Sequence, residues 1–238
     1  MFCAFTLSTG RCGTMTLARV LNQHPQIIAL HEPFPRLIRI SARAYLEPDS
    51  ELMELIIKIA REDYIEASNQ KGCIYVETAN RLTFFSYAIR KAFPQAKFIH
   101  LVRHPVRVIK SGIRRRWYCG HPWDAGRIFP KSMHCDGRLW TELSPSEKVA
   151  WNWVETNRFI FDFLQGIPEK QKFFLRLEEI DSRISSIWDF LGVRPFRVKI
   201  GKLNQGSQHE VREDFIPFLK KIGQDVVKNC GYEIEGVQ

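Results

Sequence analysis

The chain alternates short unbroken apolar runs with longer stretches in which apolar residues recur every three or four positions. Residues 2–7 (FCAFTL) form the first run; the turn residues Ser8, Thr9 and Gly10 follow, and helical spacing then holds from Thr14 to Leu21. Further runs stand at 72–77 (GCIYVE), 97–102 (KFIHLV) and 172–177 (KFFLRL). None alternates apolar with polar residues, the pattern of strands buried on both faces. Helical spacing predicts helices over about 50–67, 82–92, 105–117, 145–165, 182–191 and 210–229. Buried strands separated by helices imply an α/β fold, three layers α/β/α around a central parallel sheet. Such sheets bind ligands outside the carboxyl ends of their strands, so the loops directly after strands are where chemistry is expected.

Composition narrows this picture modestly. The 238 residues contain no Ser/Pro/Gly-rich linker and no compositional break, which predicts a single domain over 1–238. With 35 Lys and Arg against 26 Asp and Glu, the formal charge of +9 favours an anionic partner: a nucleotide, a sulfated or phosphorylated compound, or nucleic acid. No window reaches the length of a membrane span, and the start lacks a signal-peptide pattern. The six cysteines are scattered without a C-x-x-C pair, which suits free thiols in a reducing compartment and predicts a cytoplasmic protein.

Two loops carry candidate chemistry. The first, LSTGRCGTMTL over 7–17, places two glycines and Arg11 between a buried strand and a helix. Backbone N–H groups at a helix start are unpaired and lie at the positive end of its dipole, and Gly10 and Gly13 let the backbone approach an anion. The same loop alone also reads as a glycine turn that caps a helix. Against the nucleoside-triphosphate loop G-x-x-x-x-G-K-S/T, Ser8 replaces the first glycine, Thr14 the lysine and Met15 the magnesium-binding hydroxyl residue, so a metal-bound triphosphate is poorly served.

The second loop follows the run at 97–102. Arg103 stands at that strand's carboxyl end, Pro105 occupies a first helical position, and Ser111 lies eight residues after Arg103, about two helical turns into the helix. A guanidinium and a hydroxyl converging on one site form a phosphate clamp. The surrounding Arg107, Lys110, Arg114, Arg115 and Arg116 read as the solvated face of a basic amphipathic helix.

Arg11-Cys12-Gly13-Thr14-Met15 resembles the 5′-phosphosulfate loop, R-S-G-T-T or K-x-G-T-T/S, of sulfotransferases that use 3′-phosphoadenosine-5′-phosphosulfate (PAPS). Arg103 and Ser111 are similar to the same family's 3′-phosphate motif, in which R-D/H-P is followed by a serine eight residues after the arginine. The segment NQHPQIIALHEPF looks like the family's L-x-x-H-P…x-E-P continuation, and KNCGYEI like its closing C/L-G-Y segment. The resemblance implies a P-loop-like fold and PAPS as co-substrate without a metal. It implies cofactor contacts at Arg11, Cys12, Gly13, Thr14, Met15, Arg103 and Ser111, with Lys202 in a segment that closes over the cofactor. Glu32 resembles the catalytic-base glutamate of the tyrosylprotein, heparan-type and bacterial branches, with Arg11 as its catalytic partner. His31 is the nearest rival base, and His-Glu-Pro also reads as a capping turn. The implied acceptor is a hydroxyl, less readily an amine, on a small molecule, carbohydrate or lipid, and not nucleic acid.

Three departures from the family pattern stand out. Met15 replaces a threonine; Glu77-Thr78-Ala79-Asn80 lacks the lysine of E-K-T-P; and Arg176-Leu177-Glu178-Glu179-Ile180 lacks the aromatic residue of R-Y-E-D-L that can face adenine. Trp151 or Trp153 are candidate replacements, although tryptophans on helices are more often core. Residues 118–145 read as a long loop, either a lid or substrate wall or a surface excursion. Cys119, His121, His134 and Cys135 within it have poor spacing for zinc. Two rivals remain: a P-loop nucleotide kinase, disfavoured by the absence of G-K-S/T, and a noncatalytic module that binds nucleotides or sulfated ligands.

Overall fold

The computed structural model describes residues 1–201 and 211–234. Its central sheet has five parallel strands, β1 (Cys3–Leu7), β2 (Ile27–Leu30), β3 (Ile74–Glu77), β4 (Lys97–Val102) and β7 (Lys172–Arg176), in the order β2-β3-β1-β4-β7. A short antiparallel hairpin, β5 (His134–Cys135) with β6 (Arg138–Leu139), stands apart from it. Helices flank the sheet: α1 (Thr14–Leu21), α2 (Ser41–Leu46), α3 (Glu51–Gln70), α4 (Ser86–Ala92), α5 (Pro105–Arg114), α6 (Pro145–Gln165), α7 (Ile184–Leu191) and α8 (Ile216–Asn229).

All five residues of β1 are buried, and Phe5 sits level with Glu77 on one side and Phe98 on the other. The chain leaves β1 toward β2 and β3 and later crosses to β4 on the opposite side. The carboxyl ends of β1 and β4 therefore border the point where the winding reverses, the place where open α/β sheets form a ligand crevice.

Four strands coincide with the apolar runs, but β2 was not among them. Its run, IIAL, is four residues long, and Pro25 separates it from α1, which ends at Leu21. Asn22 fastens the strand: its amide donates to Ala29 O at 2.6 Å and accepts from Ala29 N at 2.7 Å. Other boundaries shift for local reasons. The expected helix at 82–92 opens with a 3₁₀ turn over Asn80–Phe85 before α4 begins. The helix expected to reach 117 stops at Arg114, because Arg116 turns to φ 55° and the Trp117 N–H returns to Gly112 O at 3.1 Å. α6 begins where expected, held by a reciprocal cap between Ser144 and Glu147.

Buried apolar side chains from the sheet and helices join in one contiguous cluster. Trp153 lies fully inside it, and Trp151 packs edge-on to Trp140 with ring centroids 5.0 Å apart. Neither tryptophan presents a face to a ligand, which corrects their candidacy as adenine platforms. Beneath the carboxyl end of β3, Glu77 is buried and takes Arg61 of α3 in two contacts, at 2.5 and 2.8 Å, plus the Tyr75 hydroxyl at 2.7 Å. Lys202 lies outside the described residues.

Candidate active site

β1 runs into the loop Ser8–Gly13, and α1 follows directly. Gly10, Arg11 and Gly13 take φ values of 80°, 58° and 84°. Left-handed residues of this kind curl a backbone into an anion-binding concavity. A side chain at Gly13 would be strained at φ 84°, and its Cβ would lie 2.4 Å from Leu177 Cδ1, so Leu177 would have to move. α1 starts without a side-chain cap and without an acidic residue in its first turn, and its first bond runs from Leu17 N to Gly13 O at 2.9 Å. The N–H groups ahead of that bond form the positive helix end.

The loop is held by its own neighbours. Ser8 N donates to Thr83 Oγ1 and Thr83 Oγ1 donates to Ser8 O, both at 2.9 Å. The Cys12 thiol is fully buried, 3.1 Å from Thr9 Oγ1 and donating to Gly10 O at 3.3 Å; burial pushes its pKa up to about 11. Its side chain thus belongs to the loop's frame, and only its backbone is left to meet a ligand.

The loop after β4 meets this one. Arg103 Nη1 donates to Arg11 O at 3.2 Å, and Arg11 Nε donates to the buried Ser111 hydroxyl at 2.9 Å. Having accepted from Arg11, Ser111 keeps its own O–H to donate. Burial first, then the charges of Arg115 and Arg103, lower the pKa of Arg11; burial first, with Arg107 and Arg114 adding to it, lowers that of Arg103. Half-buried guanidiniums whose charge is disfavoured by neighbouring arginines form a site that gains from an anion. The carboxyl-terminal segment locks onto the same corner: Glu178 accepts from His104 N at 3.2 Å and from the Tyr232 hydroxyl at 2.7 Å.

A cavity of 590 Å³ opens beside these loops, and Arg11, Thr14, Met15, His31 and Glu32 all line it. Glu32 sits just past β2 at φ 49°, a left-handed conformation that costs a non-glycine residue about 1 kcal/mol. His31 Nδ1 lies 2.9 Å from Thr78 O and 3.1 Å from Thr78 Oγ1. Because a carbonyl only accepts, the proton is assigned to Nδ1, and Nε2 is left as an acceptor. Thr78, at the position of the family's lysine, thus orients His31 instead.

The opposite wall was not legible as a site. Asn80, Arg81, Arg115, Trp117, Asp124 and Arg127 join the cavity lining. Arg115, expected on a solvated helix face, is exposed and also borders the cavity, where the chain turns past the end of α5. The segment expected as a long loop contributes its 3₁₀ turn, Pro122–Gly126, as a fixed wall: Gly126 O accepts from the Ser41 hydroxyl at 2.7 Å and from Arg81 Nη1 at 2.8 Å. Arg127 pairs with Asp124 at 2.7 Å and lies 3.9 Å over the Trp117 ring. No signal short of tertiary structure joins 80–81 to 115–127. Among the described residues no group of three His, Cys, Asp or Glu side chains could hold a metal, so Cys119, His121, His134 and Cys135 form no such cluster. Nor is any described helix long and apolar enough to cross a membrane.

Similar folds are known. The sulfotransferase domain from the curacin biosynthetic pathway superposes with a TM-score of 0.59 at 19% identity, covering 98% of each chain. The sulfotransferase domain of the Synechococcus PCC 7002 olefin synthase gives 0.58 at 17% identity over 98% of this chain and 95% of that one. A sulfotransferase from Alicyclobacillus acidocaldarius gives 0.58 at 15% identity over 97% and 96%. At these identities the likeness is one of fold, the P-loop-like α/β sandwich. No curated relative matches the sequence. The sequence profile of the Sulfotransferase family matches residues 4–132, which include both loops and Glu32, and the chain belongs to that family.

Proposed function

We propose that the protein transfers a sulfuryl group from PAPS to an acceptor hydroxyl, with Glu32 as general base. The observation that carries this reading is the linkage of Ser111 and Arg103 to Arg11 beside an uncapped helix start, with Arg11 lining a cavity that Glu32 also lines. These donors suit a ligand with two anionic ends. Arg11 and the backbone N–H groups of Gly13, Thr14 and Met15 would hold the 5′-phosphosulfate, and Arg103 and Ser111 the 3′-phosphate. Cys12 would contribute its backbone alone. PAPS supplies the sulfuryl group and departs as adenosine 3′,5′-bisphosphate.

The chain's own part is positioning and charge stabilisation. Arg11 and the helix start face the charge that grows on the leaving phosphate oxygens. Glu32 takes the acceptor's proton as the new O–S bond forms. His31, held by Thr78, keeps Nε2 free and orients or relays at the same wall. The proposal extends to the whole chain as one sulfotransferase domain, and its six free cysteines suit work in the cytoplasm.

Incubation with ³⁵S-labelled PAPS and a panel of alcohols, phenols and hydroxy acids, in EDTA, tests the proposal. Transfer of label to a hydroxyl compound is expected. Phosphoryl transfer from ATP and magnesium instead, or nucleotide binding without transfer to any hydroxyl, overturns it.

A further inference from the structure

The cavity holds two groups of positive charge, and the reading above uses only one. Arg11 feels Arg115, Arg103 and Arg114, whereas Arg81 feels Arg127, Glu32, Tyr118 and Asp124. The second group stands on the wall built from the turn after β3, which bonds to the β1 loop through Thr83 and Ser8, and from residues 117–127. Its two members differ. Arg127 is spoken for, since Asp124 neutralises it and the Trp117 ring covers it. Arg81 has a backbone carbonyl, Gly126 O, as its hydrogen-bond partner, and among the described residues no carboxylate lies in ion-pair range of it. Burial and the Arg127 charge pull its pKa down to about 10, so it is charged at neutral pH and unfavourably placed.

A half-buried guanidinium anchored by one nitrogen keeps other N–H donors for a ligand. Glu32 lines the same cavity and is the acid whose charge acts most strongly on Arg81. A group bound at Arg81 therefore lies beside the hydroxyl that Glu32 would deprotonate. The donor's phosphates already have Arg11, Arg103, Ser111 and the helix start, so the charge at Arg81 is left for the other substrate.

We propose that Arg81, backed by Arg127, binds an acidic group of the acceptor, and that the acceptor class is a hydroxyl compound carrying an anionic oxygen group, a carboxylate or a sulfate or phosphate ester. This rests on the reading of Glu32 and the paired loops as the two sides of one transfer site. The lone positive group then selects between acceptors that bear a charge and neutral ones of the same shape.

The test measures binding of matched pairs by ligand-observed NMR, with and without saturating adenosine 3′,5′-bisphosphate. The carboxylate arm pairs 4-hydroxybenzoate with 4-hydroxybenzamide and glucuronate with glucuronamide; the ester arm sets glucose 6-sulfate and glucose 6-phosphate against glucose. In at least one arm the acid is expected to bind about 10-fold or more tighter than its neutral partner, as for a charge-assisted pair. Arg81→Gln should bring that ratio to near one, and Arg81→Lys should keep part of it, while affinity for the bisphosphate stays within about twofold in both. Neutral partners binding as tightly as acids, or an acid preference that survives Arg81→Gln, overturns the proposal. Should Arg81→Gln not fold, the ratios of Arg81→Lys and of the natural protein decide on the same terms. Loss of bisphosphate binding in the natural protein, with the acid preference intact, counts against the donor assignment and not against this one.

Discussion

The two sides of the cavity are built in different ways. The proposed donor side consists of two strand-to-helix loops on neighbouring strands, β1 and β4, and its candidate binding groups are largely backbone N–H groups and residues within about two helical turns of a strand end. The proposed acceptor side draws Glu32, Asn80, Arg81, Asp124 and Arg127 from separate stretches of chain, joined by contacts such as Arg81 and Ser41 on the same Gly126 carbonyl. A backbone cradle must be encoded in consecutive residues, because left-handed positions such as Gly13 admit few side chains. A wall of side chains carries no such constraint. The donor side is thus fixed by motif and the acceptor side by assembly.

Disturbing each side separately should show that difference. The largest effect is expected under the acceptor side, where Arg61→Ala would leave Glu77 buried without its cation and cost about 3–5 kcal/mol of stability by denaturant unfolding. A loss under 1 kcal/mol would mean that the end of β3 is held by packing alone. Glu32→Gln should lower turnover about 10²-fold or more with bisphosphate affinity unchanged, a split that steady-state kinetics beside calorimetry reads directly. Equal turnover would pass the role of base to His31.

Arg103→Ala should weaken adenosine 3′,5′-bisphosphate about 10–100-fold while affecting AMP much less. Equal losses for both nucleotides would show that Arg103 only braces Arg11. The smallest effect is expected at Met15, which is 48% exposed on the first turn of α1. Met15→Thr restores a hydroxyl that the family motif has, and should tighten the bisphosphate by about 10-fold or less.

Much of this was legible before any coordinates. Arg103 stands just ahead of the helix whose start Pro105 marks and Ser111 lies two turns into it, so that both border one corner follows from spacing. That they also meet Arg11 follows from the neighbouring positions of β1 and β4, which buried-type runs imply without specifying order. β2 escaped because four apolar residues after a proline are too short to show a period. Arg81 and Arg127 escaped because a lone arginine looks alike on a solvated surface and in a cavity wall. Arg115 is exposed as its pattern implies, but its place beside the cavity was hidden because the periodic pattern continues past Arg114, whereas the backbone turns there.

Whether the loops after β1 and β4 form one site for a nucleotide phosphorylated at both its 3′ and 5′ positions is decided by calorimetric titration with adenosine 3′,5′-bisphosphate and with AMP, both in EDTA. Tight binding of the bisphosphate is expected, with AMP binding weaker by about 10-fold or more. Equal affinity for the two, or no binding of either, would contradict one shared site.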